Sequence, residues 1–351
     1  MTQRRRSTLR TALAVALAGL LAIGLAGCVQ RDTGADPVAD STVDVAQLTG
    51  LTLQVGDQKG GTEALLRAAG ELENLPFAIN FSTFTSGPPQ IEAATAGKID
   101  FAVTGNTPPI FGAASRARVK VVSAYANNAL GDAILIPASS TLTSVSELKG
   151  KKVAVSKGSS AHGHLLLQLQ KRGLTLGPGK DVEPVFLQPA DALSAFTSGS
   201  VDAWAIWDPY TAIVQLQNNA KTLTTAQGLS NGYGFGIAAD QALADPKRNT
   251  AIRELVVRIA KASAWAKSHP DEWAKRYSAE VGIDPRAGKA AQDRSLRPAI
   301  ELSDTVIDGE QRLSDAFAQA DQIQRGGTRF ADFSDKRFND AVRPYFDAPR
   351  S

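Results

Sequence analysis

Cysteine is almost missing from this sequence: Cys28 is the single one among 351 residues. Beyond that position the chain can form no disulfide, offers no thiolate nucleophile and has no cysteine-based metal site. Histidine is scarce too, with three in the whole chain, which argues against a histidine-rich metal centre. An excess of positive charge disappears once the first residues are set apart. The formal charge is +3 from 38 basic and 35 acidic side chains, but Arg4, Arg5, Arg6 and Arg10 lie in the leader, and without these four the balance is 34 against 35, or −1. A body of that charge carries no footprint for nucleic acid. There is no G-x-S-x-G elbow, no H-E-x-x-H, and no carboxylate pair singled out by its spacing.

What is present begins with a leader. "MTQRRRSTLR" is a basic opening, "TALAVALAGLLAIGLAG" is an apolar run of signal-peptide length, and Cys28 follows directly. The run "LAGC" resembles the lipobox of bacterial lipoproteins. That resemblance implies a signal peptide over 1–27 and a lipidated Cys28 anchoring the chain at the outer face of the cytoplasmic membrane. Arg5 and Arg6 before "STLR" loosely resemble a twin-arginine export signal, although Thr8 replaces its bulky apolar residue. Residues 28–49 are small and polar without a period and read as a flexible tether. The roughly 300 residues that follow suffice for two lobes.

Short apolar runs alternate with helical patterns from residue 51 onward: "LTLQV", "FAINF", "IDFAV", "VKVVSAY", "AILIP", "KKVAV", "VEPVFL" and "VDAWAIW". Such alternation predicts parallel strands with helical crossovers, an α/β fold. The chain also repeats itself. Shifted by 102 residues, "IEAATAGKIDFAVTGN" lies over "LSAFTSGSVDAWAIWD", so Thr95, Gly97 and Asp100 fall on Thr197, Gly199 and Asp202. A second match sets "LQVGDQKGGTEALL" over "VAVSKGSSAHGHLL". Two β-α-β-α-β units in tandem follow, one per lobe. Ligands of open α/β sheets bind beyond the carboxyl ends of the strands, where both units carry polar loops. "AILIP" (133–137) and "GFGIAAD" (234–240) are the candidate crossings. Lobe two then spans 134–239, and lobe one spans 50–133 with 240–351. After 240 the chain reads as helical, with a stripe of Ile252, Leu255, Val256, Ile259 and Ala262 that packs back on lobe one.

The stretch "KGSSAHGHLLLQLQ" (157–170) spaces Gly158 and Gly163 like a phosphate-binding P-loop. His164 and Leu165 stand where the lysine and hydroxyl should be, so nucleotide chemistry is excluded. His162 and His164 point apart on a helix and cannot share a metal. Ser159, Ser160 and His162 crowd one helix start too closely for a nucleophile and base held by a third group. A helix N-terminus capped by Ser159 or Ser160 remains, with free N–H groups that suit a small oxyanion. His164 is solvent-facing or packed. In "VDAWAIWDPY", Trp204 belongs to the core, Trp207 can wall a ligand's apolar part, and Asp208 with Pro209 reads as a helix cap or a ligand contact.

These stretches resemble the aliphatic sulfonate-binding proteins of ABC importers, within the sulfonate, taurine and nitrate group of periplasmic-binding-protein-like folds. The carriers are "DQKGG", "GKIDFAVTGNTPPIF", "KGSSAHGHLLLQLQKRGL" and "GSVDAWAIWDPY", over about 50 to 235. The resemblance implies a type II fold, two α/β lobes closing on an alkanesulfonate. It implies no cofactor, no metal and no catalysis, an ABC permease with its ATPase as partner, and a monomer. By position, Gln58 becomes a lobe-one contact. Gly105, Asn106 and Thr107 form the second loop, Ser159, Ser160 and His162 the lobe-two cradle, and Trp207 and Asp208 the tail contact or closure. Three departures stand out: Asp57 for a tyrosine, Asn106 for an aspartate, and Gly163 with His164 at the helix start. Receptors for taurine, nitrate or a thiamine-precursor pyrimidine are the neighbouring readings. A sulfinate desulfinase on the same scaffold would rely on a cysteine nucleophile, and the one cysteine here is the anchor.

Overall fold

The computed structural model describes residues 39–59 and 61–346; the leader and Cys28 lie outside the described residues. The strands are β1 (Thr52–Gln58), β2 (Ala78–Phe84), β3 (Phe101–Gly105), β4 (Val119–Ala126), β5 (Ala133–Ile136), β6 (Lys152–Val155), β7 (Glu183–Phe186), β8 (Ala203–Ile206), β9 (Lys221–Thr225), β10 (Tyr233–Ala239) and β11 (Ala299–Ile300). All eight apolar runs named above are strands. They form two sheets, ordered β11-β4-β10-β3-β1-β2 and β7-β6-β8-β5-β9. Together with helices on the sheets, this is the two-lobed α/β fold expected.

The internal repeat has a physical counterpart. β1 lies parallel to β2 and β3, and β6 lies parallel to β7 and β8 in the same order. Asp100 and Asp202, matched by the repeat, make the same bond. Each carboxylate accepts a backbone N–H at the start of the neighbouring strand, from Gln54 and Lys152, both at 2.8 Å. Gly97 and Gly199, also matched, end their helices with φ of +69° and +75°, a left-handed backbone that favours glycine.

The crossings differ from the expectation. Residues 133–136 and 233–239 are strands inside the sheets, β5 running antiparallel to β8 and β9, and β10 antiparallel to β3 and β4. The chain passes between the lobes just before each of them, over 127–132 and 226–232. Residues 234–239 therefore pair in the lobe-one sheet, not lobe two, and the sheets are mixed rather than all parallel. An apolar strand reads the same in either direction, which is why the runs alone gave the wrong crossing points. The expected tether is docked at its end: Val43 N–H donates to Thr250 Oγ1, and Leu48 is fully buried.

After residue 240 the chain is mostly helical, interrupted by β11. The helix Pro246–Ser268 buries its stripe of Ile252, Leu255, Val256, Ile259 and Ala262 against the helix Thr62–Ala68 and β1. The later helices reach further. Pro285–Ser295 packs on Tyr210–Asn218, and Asp304–Gln319 packs on both Ser160–Gln170 and Thr107–Ala114. No helix among the described residues is long and apolar enough to cross a membrane.

Candidate functional site

The carboxyl ends of β1, β3, β6 and β8 open onto one cavity of about 200 Å³. Sheet geometry explains this, since strand-end loops and helix starts are where backbone groups are left free to meet a ligand. From lobe two come Ser159, Ser160, Trp207 and Asp208; from lobe one come Asp57, Gln58, Thr104 and Gly105. The C-terminal segment closes the back with Trp273, Tyr277, Gln292, Ser295 and Arg297.

The lobe-two helix start is built by three residues in turn. Gly158 takes φ +73°, which turns the chain into the helix Ser160–Gln170. Ser159 is the N-cap: its hydroxyl accepts from His162 N–H at 3.3 Å and donates to the Ser156 carbonyl at 2.7 Å. Ser160 then donates to Asp132 Oδ1 at 3.3 Å. Arg297 Nη2 stands 3.8 Å from the other oxygen of Asp132, and its Nε has no hydrogen-bond partner among the described residues. Asp132 is buried, which raises its carboxyl above the ordinary range, while Arg297 and Ser160 oppose the rise. The cavity wall thus carries a guanidinium, a hydroxyl and a helix N-terminus gathered around one carboxylate.

Across the cavity Gln58 Nε2 donates to Gln90 Oε1 at 2.9 Å. Gly105 sits against the other lobe: a Cβ there would stand 3.2 Å from Ser160 Cβ. Thr85 and Ser86 beyond β2 both donate to Gln188 Oε1 of lobe two, at 2.9 and 3.2 Å. Trp207 is half-buried on the wall, edge-on to Tyr210 at 6.2 Å.

Asp208 is held more tightly than a cap. Arg294 grips both of its oxygens, Nε to Oδ2 at 2.6 Å and Nη2 to Oδ1 at 2.9 Å, and the Ser295 hydroxyl donates at 2.8 Å. Its Oδ1 also accepts from Ala212 N–H at 3.1 Å, but the N-cap of the helix Tyr210–Asn218 is Pro209, so Asp208 stands one residue before the cap position expected for it. Burial raises the carboxyl, and Arg294 and Ser295 pull the other way.

Three expected site residues do not line the cavity. Asn106 is buried, and its Nδ2 donates to Ser230 Oγ at 3.2 Å and Asn231 Oδ1 at 2.8 Å in the second crossing. An aspartate could not donate these bonds, so this departure serves the crossing and not the ligand's tail. Thr107 is fully buried and donates to Asn106 Oδ1 at 3.0 Å. His162 packs among Phe111, Phe186 and Phe317, with ring centroids 5.2 to 5.9 Å away, and its Nδ1 accepts from Gly158 N–H. Burial pushes this histidine down to about 3, as it does His164, so both are neutral packing residues. Gly163 is explained by Thr107: a Cβ would meet its hydroxyl at 2.5 Å, so the helix can lie against lobe one only with glycine there.

Sequence reasoning missed Arg297, Tyr125, Trp273 and Tyr277, which all line the cavity. The three aromatic residues are each 2–3% exposed and carried no pattern that set them apart from core. Arg297 lies in "RSLRPAI", where the resemblance had become diffuse. A signal for it existed elsewhere: Gly234 interrupts an apolar strand, and a Cβ there would stand 3.1 Å from Arg297 Cδ.

Comparison with known proteins shows which family the chain is similar to. The NMT1/THI5 like family model matches residues 78–273. A protein of Escherichia coli (strain K12) named for binding aliphatic sulfonates is 33% identical over 279 residues, covering 78% of this chain and 81% of its own length. Among solved structures, the alkanesulfonate-binding protein SsuA from Xanthomonas axonopodis pv. citri, bound to MOPS, matches with a TM-score of 0.73 and 29% identity, over 82% of this chain and 99% of that one. The periplasmic aliphatic sulphonate binding protein SsuA from Escherichia coli matches with a TM-score of 0.67 and 28% identity, over 85% and 92%.

Proposed function

The chain belongs to the NMT1/THI5-like family and, within it, to the aliphatic sulfonate-binding proteins, and we propose on that basis that it is the extracytoplasmic solute receptor of an ABC importer for aliphatic sulfonates. The sulfonate oxygens lie at the helix start, taking hydrogen bonds from the first-turn N–H groups and from Ser160, whose hydroxyl turns from Asp132 to the ligand, and charge from Arg297. Gln58 and Gly105 meet the ligand from lobe one. The organic tail lies toward Trp207, Leu65 and Ile259, which give it apolar wall. The observation that carries this is the convergence of Ser160 and Arg297 on opposite oxygens of Asp132 at the cavity wall. The lobes close by rotation about 127–132 and 226–232, and the closed form is what a permease with its ATPase accepts. The protein binds and releases its ligand unchanged, as a monomer held by lipid on Cys28.

Calorimetry with alkanesulfonates, nitrate, taurine and pyrimidines tests the assignment. Alkanesulfonates bind, and mass spectrometry of the recovered ligand finds it intact. Binding of nitrate or a pyrimidine alone refutes the substrate class, and release of sulfite refutes the receptor role. For the anchor, Cys28→Ala moves the protein from the membrane fraction to the soluble one; an unchanged distribution refutes it.

A further inference from the structure

The cavity holds three carboxylates on or beside its wall, and two of them have a basic partner. Asp208 has Arg294, and Asp132 has Arg297. Asp57, at the end of β1, has none among the described residues. It is 7% exposed, and its contacts are the backbone N–H groups of Thr62 at 2.7 Å and Glu63 at 3.4 Å. Burial outweighs these bonds and pushes its carboxyl up to about 7, the state of an acid that lacks a counter-charge. The same cavity is lined by Tyr125, Trp207, Trp273 and Tyr277, with the Trp273 and Tyr277 rings 5.3 Å apart. Tyr277 reports how the group is arranged. Its phenol is held well above the ordinary value by burial first, and by the nearness of Asp208 and Asp57.

Given the sulfonate function proposed above, we propose that Asp57 and the aromatic residues of this cavity form a subsite for a protonated nitrogen, so that the preferred ligands are zwitterionic aminoalkanesulfonates. The two ends of such a ligand meet opposite charges: the sulfonate faces Arg297 and the helix start, and the ammonium faces Asp57. Aromatic faces attract cations through their quadrupole and cost the alkyl part nothing. The ammonium restores to Asp57 the counter-charge that its burial removes, and the carboxylate keeps its cap on the helix Thr62–Ala68.

The test is a matched pair, propanesulfonate and 3-aminopropanesulfonate, titrated calorimetrically at neutral pH into the wild-type protein and Asp57→Asn. Asparagine keeps the Oδ1 acceptor for Thr62 N–H and removes the charge. The wild-type protein favours the amino ligand by about tenfold, one partly buried ion pair's worth, and Asp57→Asn abolishes that preference while plain propanesulfonate keeps its affinity. A second reading uses the wild-type protein alone: titrations in two buffers of different ionisation enthalpy show more proton release with the amino ligand than with the plain one. Equal affinity for the two ligands, or a preference that survives Asp57→Asn, overturns the subsite and leaves the sulfonate function standing. Failure of both ligands to bind the wild-type protein overturns the sulfonate function itself, and the subsite with it.

Discussion

Asp208 and Arg294 join the two lobes through a two-pronged ion pair, with Nε at 2.6 Å from Oδ2 and Nη2 at 2.9 Å from Oδ1. Asp208 follows β8 of one sheet, and Arg294 ends the helix Pro285–Ser295 that leads toward β11 of the other. The Asp208 side chain is 1% exposed, so neither water nor salt can replace its partner. Arg294→Ala, which strands the buried carboxylate, therefore destabilises the protein by about 3–5 kcal/mol. Removing both charges with Asp208→Leu and Arg294→Leu costs less than Arg294→Ala alone. Urea denaturation of the three proteins decides the matter, and a double variant less stable than the single one contradicts this account.

Ligand contact is separable from folding at the cavity wall. Ser160→Ala, Arg297→Gln and Trp207→Ala each weaken alkanesulfonate binding by about tenfold or more, the scale of one good polar or aromatic contact. The melting temperatures of Ser160→Ala and Trp207→Ala stay close to that of the wild-type protein, because these side chains are partly exposed to the cavity, whereas Arg297→Gln also takes the basic partner from buried Asp132 and lowers the melting temperature. Unchanged calorimetric affinity in Ser160→Ala and Arg297→Gln refutes the placing of the sulfonate.

Gly105 controls how closely the lobes approach. An added Cβ meets Ser160 Cβ at 3.2 Å and Oγ at 3.4 Å, so the lobes must part by a few tenths of an ångström. Gly105→Ala lowers ligand affinity by roughly tenfold through that displacement, with a loss of stability near 1 kcal/mol or less. Calorimetric titration of the variant with an alkanesulfonate measures the loss, and native affinity contradicts the close approach.

Glu310 gives the fold a distinct pH dependence. It is fully buried beside the second crossing, accepts from Asn231 Nδ2 at 2.8 Å, and is pushed up to about 8 by burial. Between the ordinary glutamate range and that value the folded state binds more protons than the unfolded state. The stability it confers is complete at acid pH and is lost as pH rises through about 8. Glu310→Gln keeps the acceptor and removes the charge, so the variant gains on the wild-type protein by roughly 4 kcal/mol between about pH 5 and about pH 9. Denaturation curves at both pH values check this, and parallel losses in the two proteins refute it.

The buried histidines act in the opposite direction. Burial holds His162 and His164 near 3, so the unfolded state takes up protons first as pH falls. Their contribution is complete above about pH 6.5 and declines toward about pH 3. His164→Gln, still able to meet Gln168, makes the acid limb of the stability profile shallower, which acid titration followed by circular dichroism measures.

Much of this was legible in the residues. Strand runs are set by local apolar pattern, and the repeat doubled the evidence for each unit, so β1 to β8 were found from sequence. The capped helix start at Ser159 was legible for the same reason, because a helix start is a local event. His162 was misplaced since a histidine beside serines looks the same whether it faces a ligand or Phe111, Phe186 and Phe317. Asn106 was misread because its partners, Ser230 and Asn231, lie more than 120 residues away.

The sequence by itself determined the two α/β units, the glycine turns that end their helices, the capped helix start at Ser159 and the loss of nucleotide chemistry at His164. Each rests on forces acting within a few residues: period, backbone sterics and capping. Only the tertiary structure decided where the chain crosses between lobes, that Arg297, Trp273 and Tyr277 line the cavity, and that Asp57 lines it with no basic partner among the described residues. Strand direction, burial and charge pairing depend on which distant segments meet, and no local pattern encodes that.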